Sequence, residues 1–186
     1  MESAVQSVAF MNSQDDFPQS RPPAPIPKEL HSVYEAGPFR VCLTCGEALT
    51  DGRNYEIQKV FRGKQAIFEM AVCHSCGEKV SREFSEESLD RVKSFLIESF
   101  TPSAEAVHCH FCGFPRGLFE NYTLVGACRK QSLILPTVVM CDACGEKLQG
   151  LLSQKTKDVQ EDFVKDNFPG VPADVDFSPS LSGLFP

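Results

Sequence analysis

Eight of the nine cysteines in this 186-residue chain fall into four Cys-x-x-Cys-Gly pairs: Cys42/Cys45, Cys73/Cys76, Cys109/Cys112 and Cys141/Cys144. Two residues between cysteines let both sulfurs face one point. The glycine that follows each pair (Gly46, Gly77, Gly113, Gly145) permits a tight turn whose amides aim at sulfur. Within each half, 27 residues (46–72) and then 28 residues (113–140) separate one pair from the next, enough for a β-hairpin that folds back and brings both pairs to one ion. The spacing predicts two four-thiolate metal sites. Cys42, Cys45, Cys73 and Cys76 are the ligands of the first, and Cys109, Cys112, Cys141 and Cys144 of the second.

Other uses of paired cysteines fit less well. Disulfides need an oxidising compartment, whereas the start Met1-Glu2-Ser3 lacks the basic stretch of an export signal, and Gln6 and Ser7 break the apolar residues 5–10. A thioredoxin-like dithiol needs one Cys-x-x-Cys at a helix start within a βαβ pattern, not four. The chain therefore reads as cytoplasmic. It also reads as having no membrane span, because no segment approaches about 18 continuous apolar residues.

The two halves are copies. A shift of 67 residues superposes Cys42 on Cys109, Cys45 on Cys112, Asn54 on Asn121, Tyr55 on Tyr122 and Arg62 on Arg129. A shift of 68 then superposes Cys73 on Cys141, Cys76 on Cys144, Gly77-Glu78-Lys79 on Gly145-Glu146-Lys147, Ser85 on Ser153, Phe95 on Phe163 and Phe100 on Phe168. The single slip is expected at the hairpin turn, Arg62-Gly63-Lys64 against Arg129-Lys130-Gln131-Ser132, where an insertion is tolerated.

Each copy reads as knuckle, β-hairpin, knuckle, helix, which gives an α+β chain. Residues 55–61 and 65–72 form the first hairpin, and 122–127 and 133–140 the second. A short helical stretch follows each second knuckle, with Val80 and Phe84 in one copy and Leu148 and Leu152 in the other. Ser85 and Ser153 then stand as N-caps of longer helices over 86–100 and 154–168. The apolar faces of these helices, Leu89, Val92, Leu96 and Phe100 against Val159, Phe163 and Phe168, predict pseudo-symmetric packing of helix on helix. The order of elements resembles the treble-clef and zinc-ribbon class of zinc modules. That resemblance implies structural zinc in both repeats and carries no activity with it.

The expected domains are zinc module 1 over 39–101 and zinc module 2 over 107–169. A disordered Pro-rich tail (1–38) precedes them and an extended C-terminal tail (170–186) follows; the run Arg21-Pro22-Pro23-Ala24-Pro25-Ile26-Pro27 favours polyproline II and is not expected to join a core. A lone module of about 60 residues buries little apolar surface, and structural zinc supplies roughly 10–16 kcal/mol in finger peptides. Four thiolates also close the coordination shell, so both sites read as non-catalytic and the expected cofactors are two zinc ions. Iron is the alternative, because Cys-x-x-Cys-Gly twice around such a loop also resembles rubredoxin, an electron-transfer protein; the lack of Trp and the long helices count against it.

Repeat alignment ranks the remaining polar residues. His108, His110 and His74 match Val41, Leu43 and Asp142, so no histidine position is shared while all eight cysteines are. The ninth cysteine, Cys128, matches Phe61 and reads as a small hydrophobe on a strand. Glu78-Lys79 and Glu146-Lys147 read as first-turn helix residues, and Tyr55 and Tyr122 as hairpin entries packing over the sites.

Charge selects the class of partner. The formal net charge is −7, and a divalent ion held by four thiolates adds about −2 per site, for about −11 in all. Duplex nucleic acid demands the opposite sign. Only the first hairpin, with Arg53, Lys59, Arg62 and Lys64 around Glu56, offers a basic cluster for a nucleic-acid alternative over 53–64. The expected role is that of a non-enzymatic adaptor or regulator that binds another protein.

Overall fold

The alternating runs between the knuckles form one sheet, not two. The computed structural model describes residues 24–103 and 105–169. Its strands are β1 (Ala24–Pro25), β2 (Asn54–Arg62), β3 (Gln65–Cys73), β4 (Asn121–Arg129), β5 (Ser132–Leu133) and β6 (Val138–Cys141). Its helices are α1 (His74–Ser81), α2 (Glu86–Ser99), α3 (Asp142–Gly150) and α4 (Gln154–Asn167). The strands run in the order β1-β5-β4-β2-β3, with β6 also pairing β4, so β2 of the first repeat lies antiparallel against β4 of the second. The pairing is reciprocal: Tyr55 opposes Cys128, Phe61 opposes Tyr122, and Gln58 opposes its own repeat equivalent, Val125. A pseudo-two-fold axis therefore passes through the Gln58/Val125 pair. Nine paired positions across this seam make the two repeats one hydrogen-bonded body.

The register slip lies elsewhere than the turn. Both hairpins turn through two residues, with Arg62 opposite Gln65 and Arg129 opposite Ser132. Gly63 (φ 58°) and Lys130 (φ 56°) take the left-handed conformation that such a turn requires at its first position. The insertion falls in the returning strand. A β-bulge breaks the register between Val60 and Phe61 in the first repeat, whereas in the second the strand parts into β5 and β6 around Pro136, which has no amide for the ladder.

Residues 24–38, expected to be part of a disordered tail, are folded. β1 pairs with β5, Ile26 and Leu30 are buried, and Ser32 bridges to Gly37 in a tight loop. Leu30 covers the sheet face that carries Ile57, Leu124 and Gly126, and these side chains share one core cluster. Composition misled here because proline rules out a helix interior but is tolerated on an edge strand, where Pro25 pairs with Ser132, and does not prevent burial of the residues between prolines. Residues 1–23 and the C-terminal tail from 170 lie outside the described residues.

Gly126 is the repeat equivalent of Lys59, and its bareness is what admits Leu30. A Cβ at 126 would stand 2.5 Å from Leu30 Cδ1 and 3.2 Å from Leu133 Cδ2. Leu30 has no exposed surface into which to retreat. Gly126→Ala is therefore expected to lower stability by about 1–3 kcal/mol, although alanine restricts the unfolded chain more than glycine does. Urea unfolding checks this, and Leu30→Val in the same chain should return part of the loss.

The opposite face, with Val125 and Met140, is met by Val92 of α2 and Leu148 of α3 and by Phe84 and Leu152 from the links that follow α1 and α3. Ser85 and Ser153 cap α2 and α4 as the sequence predicts, accepting from the amides of Ser88 and Thr156 at 3.2 and 3.3 Å. The two caps also meet each other, Oγ to Oγ at 2.8 Å, and each capping residue's own N–H donates to the other helix's hydroxyl: Ser85 to Thr156 at 3.0 Å and Ser153 to Ser88 at 2.8 Å. Beyond these N-termini the helices diverge instead of pairing along their length. On α2, Phe95 stacks on Phe111 of the second repeat at 5.6 Å, and Phe100, its C-cap, stacks on His110. At the end of α4, Phe168 packs on Phe68 of the first repeat at 4.8 Å. Each long helix thus covers the other repeat's module. Among the described residues no helix is long and apolar enough to cross a membrane.

Candidate metal centres

The two knuckle pairs of each repeat reach their site by different routes. The first pair sits on a loop closed by its own glycine: Gly46 (φ 69°) donates to the Cys42 carbonyl at 2.9 Å, and Gly113 (φ 71°) to that of Cys109 at 2.9 Å. Left-handed backbone makes glycine the fitting residue at both places. The second pair is built on a helix. Cys73 and Cys141 end β3 and β6 and are the N-cap positions of α1 and α3, so Cys76 and Cys144 lie in the first turns. Gly77 and Gly145 are accordingly helical and buried, not turn glycines as the sequence suggests. A hydrogen bond from Leu43 N–H to the Ala71 carbonyl (2.8 Å), matched by His110 N–H to Val139 (2.9 Å), pins each first knuckle beside the strand that delivers the second.

The result is two clusters of four sulfurs. Cys42, Cys45, Cys73 and Cys76 lie within 4.8 Å of one another, as do Cys109, Cys112, Cys141 and Cys144. In both, the second cysteine of the loop is exposed and the other three are buried. No sulfur crosses between repeats. The Cys45 and Cys73 sulfurs stand 3.9 Å apart and those of Cys112 and Cys141 3.7 Å. A tetrahedron with metal–sulfur bonds of 2.3 Å has edges of about 3.8 Å, whereas a disulfide would need about 2.05 Å. The donor set and its spacing fit a tetrahedral ion in each repeat.

Backbone amides support the sulfurs symmetrically. Cys73 N–H donates to Cys42 Sγ at 3.3 Å and Cys141 N–H to Cys109 Sγ at 3.4 Å. Burial pushes the Cys73 thiol up, but the Ser75 hydroxyl and the Cys76 amide outweigh it and bring it to about 6. Burial likewise raises Cys109, and amide donors from Cys141, Phe111 and Cys112 carry it below its ordinary value. Burial dominates at Cys76 and Cys144, which rise well above the ordinary thiol range, and lifts Cys141 to about 11. Without a cation each cluster resists accumulating thiolates, and only a positive ion relieves that.

The other candidates fall outside the clusters. His74 opens α1 beside Glu78, 3.7 Å away. His110 is buried, and its Nδ1 accepts the Val139 N–H at 3.0 Å, which places the ring proton on Nε2. Cys128 is fully buried on β4, and burial raises its thiol to about 12, as befits a strand hydrophobe. Tyr55 and Tyr122 work at the seam between repeats: Tyr55 donates to the Lys130 carbonyl at 2.6 Å, and Tyr122 accepts from Arg116 at 3.0 Å.

The basic hairpin is dismantled by its own neighbours. Arg53 is held by Asp51 at 2.7 Å and by Glu47 at 3.3 Å. Lys59, whose side chain is 3% exposed, pairs at 2.8 Å with Glu69, 6% exposed. Only Arg62 and Lys64 remain as exposed cations of the four. Comparison with protein-family models, curated proteins and solved structures yields no match, and the chain stands on its own donor set as a protein with two tetra-cysteine metal-binding sites.

Proposed function

We propose that the chain is a non-enzymatic zinc protein whose two ions staple a single protein-binding body. The closed four-thiolate donor set in each repeat carries this reading. It leaves no coordination position for water or substrate, and divalent zinc favours four sulfurs at the spacing found. All eight cysteines would hold metal, Cys42, Cys45, Cys73 and Cys76 in one site and Cys109, Cys112, Cys141 and Cys144 in the other. Binding requires the raised thiols to give up their protons, so affinity falls as the pH falls.

Acidity and the ion pairs on Arg53 and Lys59 argue for a protein as the partner and against nucleic acid. Exposed apolar side chains supply contact surface, among them Tyr34, Phe114 and Leu118. Protein expressed without added metal is expected to carry two zinc ions per chain by native mass and elemental analysis. A red, iron-containing product would replace this reading with electron transfer.

A further inference from the structure

The two sulfur clusters share one frame, so any difference in the side chains around them stands out. In both, the amide that ends the returning strand donates to the first loop sulfur, Cys73 to Cys42 at 3.3 Å and Cys141 to Cys109 at 3.4 Å. In both, only the second loop cysteine is exposed. The loops close alike as well: the Glu47 carbonyl accepts from Cys42 N–H and the Phe114 carbonyl from Cys109 N–H, each at 2.9 Å.

The sulfurs of Cys73 and Cys141 are equivalent in the chain but not in what surrounds them. The Ser75 hydroxyl lies 3.3 Å from Cys73 Sγ, and because a metal-bound thiolate carries no proton, the hydroxyl is the donor in a loaded site. At the same place beside Cys141 stands Ala143, which has nothing to donate. The Arg53 guanidinium also reaches the Cys73 sulfur, and Asp51 at 2.7 Å and Glu47 at 3.3 Å hold it in place. The counterparts of Arg53, Asp51 and Glu47, 67 residues on, are Glu120, Leu118 and Phe114. A carboxylate thus replaces the cation, and exposed apolar side chains replace its two anchors. Asp142, where the first repeat has His74, adds a second carboxylate directly after Cys141.

Four thiolates around a divalent ion leave a charge of about −2. Donors aimed at a sulfur absorb part of that charge, and removing such outer partners typically costs about 10–100-fold in metal affinity. The first site has two side-chain donors on one sulfur, and the second has neither at the equivalent place. On the zinc reading given above, we propose that the two sites divide their roles: the first, with Ser75 and Arg53 on its Cys73 sulfur, is the permanent staple, and the second is the exchangeable site that yields its ion first to a competing chelator. Ser75 and Arg53 act through the sulfur and do not themselves bind the ion.

Chelator competition on the full chain, loaded with zinc at both sites, tests this. EDTA is raised stepwise at constant neutral pH, and the cysteines freed at each step are briefly alkylated with iodoacetamide and located by peptide mass. Cys109, Cys112, Cys141 and Cys144 should be tagged at about tenfold or more lower EDTA than the four cysteines of the first site. Ser75→Ala should move the first site towards the second, whereas Ser75→Thr, which keeps the hydroxyl, should not. Ala143→Ser should make the second site harder to empty, a gain that damage to the fold cannot mimic. Equal EDTA midpoints in the wild type, earlier loss from the first site, or a gap that neither Ser75→Ala nor Ala143→Ser alters would overturn the division of roles while leaving the zinc reading intact. A chain that carries no zinc would overturn both.

Discussion

Replacing Cys76 by Ser should remove one of two metal equivalents under native conditions and lower the stability of both repeats together. Each site draws its sulfurs from one repeat, so the second site keeps its ion. The stability loss is not confined in this way. Tyr122, Leu124 and Val139 of the second repeat share a core cluster with Ile57 and Cys73 of the first, and β2 pairs with β4 along their whole length. With zinc as the proposed ion, worth roughly 10–16 kcal/mol in finger peptides, realising even half of that in one site makes its loss cost about 5 kcal/mol or more. For a chain of this size that is on the order of 10–20 °C in the melting temperature. Native mass should show one bound ion, and calorimetry one transition displaced downwards. Two transitions, with the second repeat's unmoved, would mean that the seam contributes little and the modules are independent.

The second large effect concerns the buried pair of Lys59 and Glu69. Glu69 also accepts from the Ser32 hydroxyl at 2.7 Å and the Val33 amide at 2.9 Å, and Lys59 Nζ donates to the His31 carbonyl, so the pair clasps residues 31–33 to the first hairpin. Removing one partner leaves a charge in a place with almost no water. Lys59→Met or Glu69→Gln should each cost about 3–5 kcal/mol, whereas Lys59→Met with Glu69→Leu should recover most of the loss. The pH dependence has a definite sign. Burial pushes the Glu69 carboxyl up, but Lys59, Ser32 and Val33 outweigh it and hold it below its ordinary 4.5. Its contribution is therefore complete above that value and disappears as the pH falls through the lower folded value. Urea unfolding should show the gap between wild type and Glu69→Gln narrowing below about pH 4.5. A gap that stays constant down to pH 3 would show that the carboxylate charge is not what stabilises the clasp.

The sequence carried the metal sites nearly whole, because ligand geometry is local. Two residues between cysteines and a return hairpin of fixed length leave few other ways to gather four sulfurs, and the fold assembles the two groups of four that the spacing demands. The helix caps were equally legible, since Ser85 and Ser153 act on amides three residues away. Local turn rules even show why the register slip lies off the turn: Gly63 and Lys130 fix two-residue loops, so the second repeat's extra residue had to go into the returning strand, where β5 and β6 part.

What only the tertiary structure decided lies between residues far apart in the chain. Reciprocal pairing of β2 with β4, the crossing of α2 and α4 onto opposite modules, and the burial of Leu30 over Gly126 depend on which surfaces meet, and hydrophobic periodicity states that a face is covered without saying by what. Lys59 shows the same limit most sharply. In the sequence it is one cation in a basic hairpin, and the carboxylate that neutralises it comes ten residues later, directly across the ladder on β3, at a distance that only the register of the folded strands creates.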